Sequence, residues 1–459
     1  MKHLICIFSL FFAVGAVAEP VTLIVDFDDD ATPDDVFETE REIGASLKRE
    51  ENFSAWKIAT VVVDSSRIDE LIDSLDSDWD IENVEVSNIY TIPENEEVVS
   101  KGLTAYDSAT NAPSNGAPFD KPNDKDYARQ RWHFDMINLE KAWKFSTGKG
   151  AVVAILDTGV SDGRDNSHPR IGDLANTCFV EGRNFVDNND NPYDIQSHGT
   201  HVASSVAEST NNKIGGVGVA FNACIMPMKV LSDRGSGMTQ DIALAIRAAT
   251  DNGAHIINMS LGGGGHSQIL ADAVEYAANN NVLVFCAAGN GSRDRIEYPA
   301  AYDGCQAISS VGPSGKLAYY SSHGRGGEGV FIASPGGDKQ SHGDDGAVWQ
   351  STVNPDNAKQ WLMAAYQGTS MATPIAAGSA ALLVSFYLSE DGDYDAEEVL
   401  DVMAATAQDK NDEYKYGAGI LDVAAALESA NSTDWNNALL ALALSGGMLF
   451  VVRRVRRRA

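Results

Sequence analysis

The stretch AVVAILDTGV, residues 151–160, is an unbroken apolar run that ends in an acid and a turn glycine. Three more short apolar runs of this kind follow it along the chain, at 225–231, 255–261 and 282–289. Residues 240–253 and 267–280, which lie between them, have the spacing of amphipathic helices. Apolar strands that alternate with helices are typical of a parallel sheet covered on both faces. We therefore predict an α/β fold with a mainly parallel sheet over residues 125–430.

Composition limits the classes of function. The chain has 459 residues, enough for one large core and a smaller unit. Its net charge is −31, with 65 acidic residues against 34 basic ones. Nucleic-acid binding depends on lysines and arginines that neutralise phosphates, so this composition argues against a nucleic-acid partner. A well-solvated acidic surface is the simplest interpretation, and attraction of cationic substrates is a secondary one.

The N-terminus has the pattern of a secretory signal peptide over residues 1–18. Lys2 precedes the apolar run 4–17, and small residues follow it before Glu19. Secretion leads to an oxidising compartment, where disulfides persist. Loss of Cys6 with the signal leaves four of the five cysteines, and four cysteines allow three connectivities.

Residues 431–459 form a second apolar segment with a basic end. The apolar run 438–452 follows Trp435 and precedes five arginines. It is shorter than the usual span of about 20 residues, although a flanking Trp and arginines extend a span. We predict a membrane anchor with the preceding part of the chain outside the cytoplasm, or a sorting signal cut near Gly446 and Gly447. A surface helix is the alternative.

Residues 19–92 predict a small separate unit. Strand-like runs and helical patterns alternate there in the order β-α-β-β-α-β, which is the order of a ferredoxin-like α+β fold. Residues 93–124 are rich in Glu, Asn, Ser, Pro and Gly and have little periodicity. We predict that they form an exposed linker that is easily cut.

Four polar residues follow strands or open helices of the predicted sheet: Asp157, His198, Asn290 and Ser370. Sites on parallel sheets lie outside the carboxyl ends of the strands. A nucleophilic serine needs an imidazole base and a group that orients this base, and an asparagine amide can stabilise the oxyanion. Each residue alone has a plainer interpretation as a turn or cap residue. The HGTH at 198–201 also suggests a two-histidine metal pair, but it lacks the glutamate of zinc peptidase helices.

The motifs ILDTGV, HGTHVA, AAGN and GTSMATP make the chain resemble the subtilisin-like (subtilase) serine peptidases. The chain order Asp, His, Ser is the order found in subtilisin. The resemblance covers residues 125–430 and implies a three-layer subtilisin-like fold. It also implies that Ser370 is the nucleophile, His198 the general base, Asp157 the group that orients His198, and Asn290 an oxyanion donor.

The resemblance assigns roles to neighbouring segments as well. Ser260, Leu261, Gly262 and Gly263 match the segment that binds the substrate backbone. Residues 19–92 resemble the family's propeptide, which assists folding and blocks the cleft until the linker 93–124 is cut. We therefore expect a secreted, monomeric serine endopeptidase made as a zymogen. Its substrates would be proteins or peptides, and catalysis would need no cofactor.

Disulfides and structural calcium are further implications of the resemblance. The implied disulfides are Cys178 with Cys224 and Cys286 with Cys305. Asp124 and Asn212 match calcium-ligand positions, whereas Arg170 stands where many relatives have a ligand aspartate. The loop VDNNDNP, with Asp187 and Asp190, is a second calcium candidate, for which a solvated turn is the alternative.

One alternative function belongs to another class. The chain would then be a catalytically silent subtilase that acts as a surface-anchored binding module. The presence of all four catalytic residue types favours the enzyme.

Overall fold

The computed structural model describes residues 19–50, 53–92, 106–107, 121–164, 167–325 and 329–432. It divides the chain into two compact units, residues 1–87 and 88–459. The predicted signal peptide, most of the predicted linker and the C-terminal apolar segment lie outside the described residues.

The first unit is a four-stranded antiparallel sheet with helices. Its elements are β1 (Pro20–Phe27), α1 (Pro33–Ile43), β2 (Lys48–Arg49), α2 (Phe53–Trp56), β3 (Ile58–Asp64), a 3-10 turn (Ser65–Arg67), α3 (Ile68–Leu75) and β4 (Ile81–Val86). The strand order is β2-β3-β1-β4. Alternate residues of β1, such as Leu23 and Val25, are buried in one apolar core. Apart from the short α2, this is the predicted β-α-β-β-α-β arrangement.

The second unit contains the remaining elements. Its strands are β5 (Ile89–Thr91), β6 (Tyr106–Asp107), β7 (Val152–Asp157), β8 (Cys178–Phe179), β9 (Arg183–Asn184), β10 (Cys224–Lys229), β11 (Ser236–Met238), β12 (Ile256–Met259), β13 (Leu283–Ala287), β14 (Cys305–Val311), β15 (Ile332–Pro335), β16 (Val348–Val353) and β17 (Gln360–Tyr366). Its helices are α4 (Tyr127–Met136), α5 (Leu139–Ala142), α6 (His198–Ala207), α7 (Thr239–Asp251), α8 (Gln268–Asn279), α9 (Lys339–His342), α10 (Thr369–Glu390), α11 (Ala396–Ala405), α12 (Glu413–Tyr416) and α13 (Val423–Ala430), and its 3-10 turns are Gly172–Leu174 and Gly343–Gly346.

The large sheet of this unit is parallel. It has eight strands in the order β15-β14-β13-β12-β7-β10-β8, and β9 also pairs with β10. Every pairing within it is parallel, and its central strands are buried apolar runs, as the sequence predicts. The prediction of an α/β fold with a mainly parallel sheet is confirmed.

Helix α10 runs through the core of the second unit. It packs against α6 and against strands β12 to β15. Its residues from Thr369 to Tyr387 are all buried, in keeping with an apolar and small-residue composition on every face. By length and apolarity α10 also passes as a membrane span, but 94% of its most apolar window is buried inside the protein. A core helix explains the pattern.

The run VEVSNIYTI differs from its prediction as one strand of the first unit. The structure divides it into β4 and β5, and β5 belongs to the second unit. There β5 pairs antiparallel with β11. An alternating pattern predicts a strand but does not identify its partner, so the sequence alone could not assign β5.

Both predicted disulfides are present. Cys178 and Cys224 are directly paired residues of the adjacent strands β8 and β10, with Cα atoms 4.4 Å apart. Cys286 of β13 and Cys305 of β14 are also joined, with Cα atoms 5.9 Å apart. Both Cα separations lie within the range of disulfides.

Candidate active site

Asp157 and Asn290 lie at one edge of the large sheet. Asp157 is the last residue of β7, which lies between β12 and β10. Strand β13 runs parallel beside β12 and ends at Ala287, three residues before Asn290. The carboxyl ends of parallel strands meet at the same edge, so the fold brings these two residues to the predicted place.

His198 begins helix α6 and is paired with Asp157. Its Nδ1 lies 2.8 and 3.0 Å from the two carboxylate oxygens of Asp157, which is fully buried. The backbone N–H of Thr158 also donates to Asp157, at 2.7 Å. A carboxylate only accepts hydrogen bonds, so this pair holds a proton on Nδ1 of His198. The tautomer that results has Nε2 as its basic nitrogen.

Ser370 lies in the first turn of α10, facing Ser260. Its Oγ donates to the carbonyl oxygen of Ser260 at 3.2 Å, and its own carbonyl oxygen accepts from the Ser260 hydroxyl at 2.9 Å. Pro374 explains the second bond, because a proline has no N–H to donate to the carbonyl four residues earlier. The two bonds hold the serine against the segment predicted to bind the substrate backbone.

Asn290 is held by one end of its amide. Its Oδ1 accepts from the backbone N–H of Thr369 at 2.9 Å and from the Thr369 hydroxyl at 2.8 Å. Thr369 directly precedes Ser370, so these bonds tie the asparagine to the serine helix. Because Oδ1 is used in this way, Nδ2 is the end of the amide that can donate to a substrate oxygen.

Residues 89–92 of the second unit form an extended segment that lies along residues 260–263. Thr91 of β5 and Gly262 exchange two backbone hydrogen bonds of 2.9 Å, and the N–H of Ile92 donates to the carbonyl of Gly235 at 3.0 Å. The Tyr90 side chain is fully buried, with its hydroxyl 2.9 Å from the carbonyl oxygen of Gly265. Residues 89–92 therefore occupy a groove between two backbone edges, which is how an extended peptide substrate binds.

Comparisons with known proteins agree with this geometry. The Peptidase_S8 profile of the subtilase family matches residues 148–419, more than half of the chain. The chain belongs to the subtilase family. It is 36% identical over 264 residues to thermitase from Thermoactinomyces vulgaris, across 58% of this chain and 85% of thermitase. It is also 36% identical over 287 residues to subtilisin E from Bacillus subtilis, across 61% of this chain and 67% of that protein.

Solved structures support the same family. A protease from Pseudoalteromonas arctica has a TM-score of 0.60 and 31% identity, covering 68% of this chain and 99% of its own. Fervidolysin from Fervidobacterium pennivorans, described as a keratinolytic enzyme related to subtilisin, has a TM-score of 0.68 over 90% of this chain and 62% of its own. At 23% identity, fervidolysin shows the fold alone. The subtilisin-like fold is confirmed, and the chain is a member of a serine peptidase family.

The structure also describes the remaining predicted residues of the substrate-binding segment and of the HGTH motif in this subtilase. Leu261 is buried in the core, and Gly263 has a φ of +93°, in the left-handed region that favours glycine. His201, the second histidine of HGTH, stacks on Tyr366 with ring centroids 4.4 Å apart, and burial lowers its pKa to about 3. His201 is therefore packed in the core as a neutral histidine.

Asp124 and Asn212 are brought together by the fold. The Asp124 carboxylate accepts the backbone N–H of Asn212 at 3.0 Å, and the Asn212 amide donates to buried Asp173 at 2.7 Å. Burial raises the pKa of Asp124 to about 6, and burial also raises the pKa of Asp173, whose carboxyl is bonded to that of the buried Glu208. Sequence reasoning missed Asp173, which lies three residues after Arg170 and so outside the expected spacing.

Asp187 and Asp190 do not converge on one point. Asp190 forms an ion pair with Arg183 at 2.8 Å, and the same guanidinium donates to Asn188 at 2.6 Å. Asp187 instead accepts from the Asn184 amide at 2.9 Å. A guanidinium thus takes the place where a calcium ion was predicted, so these residues do not fit a metal.

Asp194 is a positioning residue that sequence reasoning missed. Its fully buried carboxylate accepts from the backbone N–H groups of Gln196, Ser197 and Thr200 and from the hydroxyls of Thr158 and Thr200, at 2.7–3.0 Å. These bonds cap the start of α6 at Ser197, directly before His198, and at Thr200, two residues after it. An acid shortly before a helix start is the signal that could have identified Asp194.

We expect Asp194→Asn to lower both stability and turnover. An amide nitrogen cannot accept, so at least one group of buried donors loses its partner, which costs about 2–4 kcal/mol in the free energy of unfolding. Denaturant unfolding, measured with the Ser370→Ala chain to prevent self-digestion, checks the stability. Asp135→Asn, at a half-exposed acid of the same unit whose partner Arg131 is also half-exposed, is the control. An Asp194→Asn chain as stable as the parent would contradict the capping role.

Proposed function

We propose that this subtilase is a secreted serine endopeptidase made as a zymogen. The observation that carries the proposal is the pairing of His198 Nδ1 with buried Asp157. Helix α6, which begins at His198, packs against α10, whose first turn carries Ser370 and whose Thr369 is bonded to the Asn290 amide. Secretion and attachment through residues 431–459 rest on the sequence alone, as does the monomeric state.

The proposed reaction assigns a role to each of these groups. Ser370 Oγ attacks a peptide carbonyl while His198 Nε2 takes its proton, and Asp157 stabilises the imidazolium that forms. The oxyanion receives hydrogen bonds from Asn290 Nδ2 and from the backbone N–H of Ser370, at the positive end of the α10 dipole. His198 then protonates the leaving amine, and water hydrolyses the acyl-enzyme on Ser370.

A serine-directed fluorophosphonate tests this function. A working triad should attach the probe covalently to Ser370, and mass spectrometry of the labelled peptide locates it. A protein that stays unlabelled and does not hydrolyse casein would instead be the silent binding module.

The first unit and β5 act, in this proposal, as an inhibitory propeptide. The support is the bonding of Thr91 to Gly262 and the burial of Tyr90 in the groove. The ring of Tyr90 lies directly over Gly264, where an added Cβ would be 2.3 Å from the ring. While these contacts hold, a substrate cannot pair with the same backbone edges.

Tyr90→Ala should therefore weaken the binding of residues 89–92 in the groove of the unprocessed chain and make its active site more accessible. Loss of a buried aromatic side chain costs about 3–5 kcal/mol of burial, so the segment should open far more often. We expect the unprocessed chain to react with the fluorophosphonate at least about tenfold faster. Ile89→Ala is the matched control, because Ile89 is 59% exposed. Equal labelling rates for the two variants would refute inhibition by this segment.

We further propose that Asp124, Asp173 and Asn212 hold a structural calcium ion. Carboxylate and amide oxygens suit this hard cation, and two buried acids gain from a nearby positive charge. In the described part of the chain no three His, Cys, Asp or Glu side chains converge as a metal site. The ion would therefore also need backbone carbonyls of the loop that carries Asn212.

Calcium removal gives the corresponding prediction. At a calcium concentration about 100 times the Kd, binding adds about 2.7 kcal/mol, which raises the Tm by about 5 °C or more. Thermal unfolding of the Ser370→Ala chain in EDTA and in calcium measures the difference. Asp173→Asn should abolish the difference, whereas Asp190→Asn should not. A Tm that is equal in EDTA and calcium would show that hydrogen bonds alone hold the cluster.

A further inference from the structure

Three glycines beside the oxyanion donor border a single carboxylate. Gly289 and Gly291 flank Asn290, and Gly262 lies on the segment that pairs with β5. An added Cβ would lie 2.5 Å from Cδ of Glu297 at Gly289, 3.1 Å from its Oε1 at Gly291, and 3.9 Å from its Oε2 at Gly262. The absence of a side chain at Gly289 allows the Glu297 side chain to pack against this backbone, so its carboxylate lies between Gly289, Gly291 and Gly262.

Glu297 is held in this position by its surroundings. Its backbone N–H donates to the carbonyl of Ala288 at 3.1 Å, next to Gly289. Its side chain is 11% exposed, and Nη1 of Arg293 lies 3.8 Å from its Oε1. Arg293 is itself 56% exposed, so its guanidinium can move into solvent when another cation approaches.

A bound peptide would direct one particular side chain towards this space. Thr91 pairs antiparallel with Gly262, so a peptide substrate bound in the same register would run from Gly262 towards Ser260, whose carbonyl oxygen accepts from Ser370 Oγ. The attacked carbonyl must lie near both Ser370 Oγ and the Asn290 amide. The side chain on that residue therefore starts between the segments 260–262 and 289–291, which Glu297 borders.

We propose that Glu297 makes this peptidase selective for lysine or arginine at the residue whose carbonyl is attacked. The inference rests on the proposed peptidase function and names its substrate class. A largely buried carboxylate forms a charge-assisted hydrogen bond with an ammonium or guanidinium group, which an apolar side chain cannot replace. Arg293 is the counter-ion that the substrate displaces.

The test compares two peptides that differ in a single group. Both have the same sequence, with lysine in one and norleucine in the other at the residue before the cleaved bond. The full chain is expressed, and the peptidase that it yields should cleave the lysine peptide with a kcat/KM about tenfold to a hundredfold higher. Glu297→Gln should remove this advantage by lowering kcat/KM for the lysine peptide, whereas kcat/KM for the norleucine peptide should not fall.

Two further variants separate selectivity from other effects. Asp294→Asn removes a half-exposed charge from the same loop, where Asp294 pairs with Arg325, and should change neither peptide's kcat/KM. Arg293→Gln removes the competing cation and should increase the preference for lysine. If Glu297 only anchors Arg293, Glu297→Gln and Arg293→Gln should each affect both peptides equally.

The outcomes distinguish this inference from the proposed function. Equal cleavage of both peptides by the parent enzyme, or a lysine preference that survives Glu297→Gln, would overturn the role of Glu297 and leave the peptidase intact. Failure to cleave any peptide would instead refute the peptidase itself. A preference for norleucine would also overturn the inference, because a carboxylate at this position should disfavour an apolar side chain.

Discussion

Ser370→Ala is expected to abolish peptide hydrolysis, with a loss of about 10⁶-fold in kcat. Alanine leaves His198 and Asp157 paired but removes the atom that forms the acyl-enzyme. If maturation is autocatalytic, the variant should also keep the first unit attached, at the size of the precursor. Activity on a chromogenic peptide, together with intact mass, measures both effects in one preparation.

Ser379→Ala is the matched control for this loss. Ser379 is another buried serine of α10, and its hydroxyl donates to the carbonyl oxygen of Ile375 at 2.8 Å. Its removal leaves the catalytic end of the helix unchanged, so hydrolysis should continue. Substantial hydrolysis by purified Ser370→Ala protein would contradict the nucleophile, and normal processing in a protease-free host would contradict self-cleavage.

The sequence predicted those parts of the molecule that local patterns encode. Buried parallel strands are continuous apolar runs, so β7, β12 and β13 could be recognised from composition and length alone. Asp157 and Asn290 follow from those strands, because the residue after a parallel strand lies at the carboxyl edge of the sheet. His198 and Ser370 could be predicted because each lies in the first turn of a helix whose start is visible in the sequence.

The remaining residues depend on contacts between distant parts of the chain. The hydrogen bond between Asp173 and Asn212 joins residues that are 39 positions apart in the sequence. The role of Asp173 is therefore visible only in the folded chain. Glu297 is an ordinary acid in the sequence, and only its closeness to Gly289 and Gly262 in the folded chain shows that it lies beside the cleft. The partner of β5 is equally non-local, because Thr91 and Gly262 are joined by backbone groups that every residue has.

Asn290→Ala should lower kcat by about 10²- to 10³-fold and leave KM nearly unchanged. The Nδ2 group gains little from a neutral carbonyl and much from an oxyanion, so its loss raises the energy of the transition state more than that of the bound substrate. Thr369 holds Oδ1 of this amide with two bonds, and Thr369→Val removes one of them. This second variant should lose part of the same activity, also in kcat. Steady-state kinetics on one peptide compares both variants with the parent, and a change confined to KM would assign Asn290 to substrate binding instead.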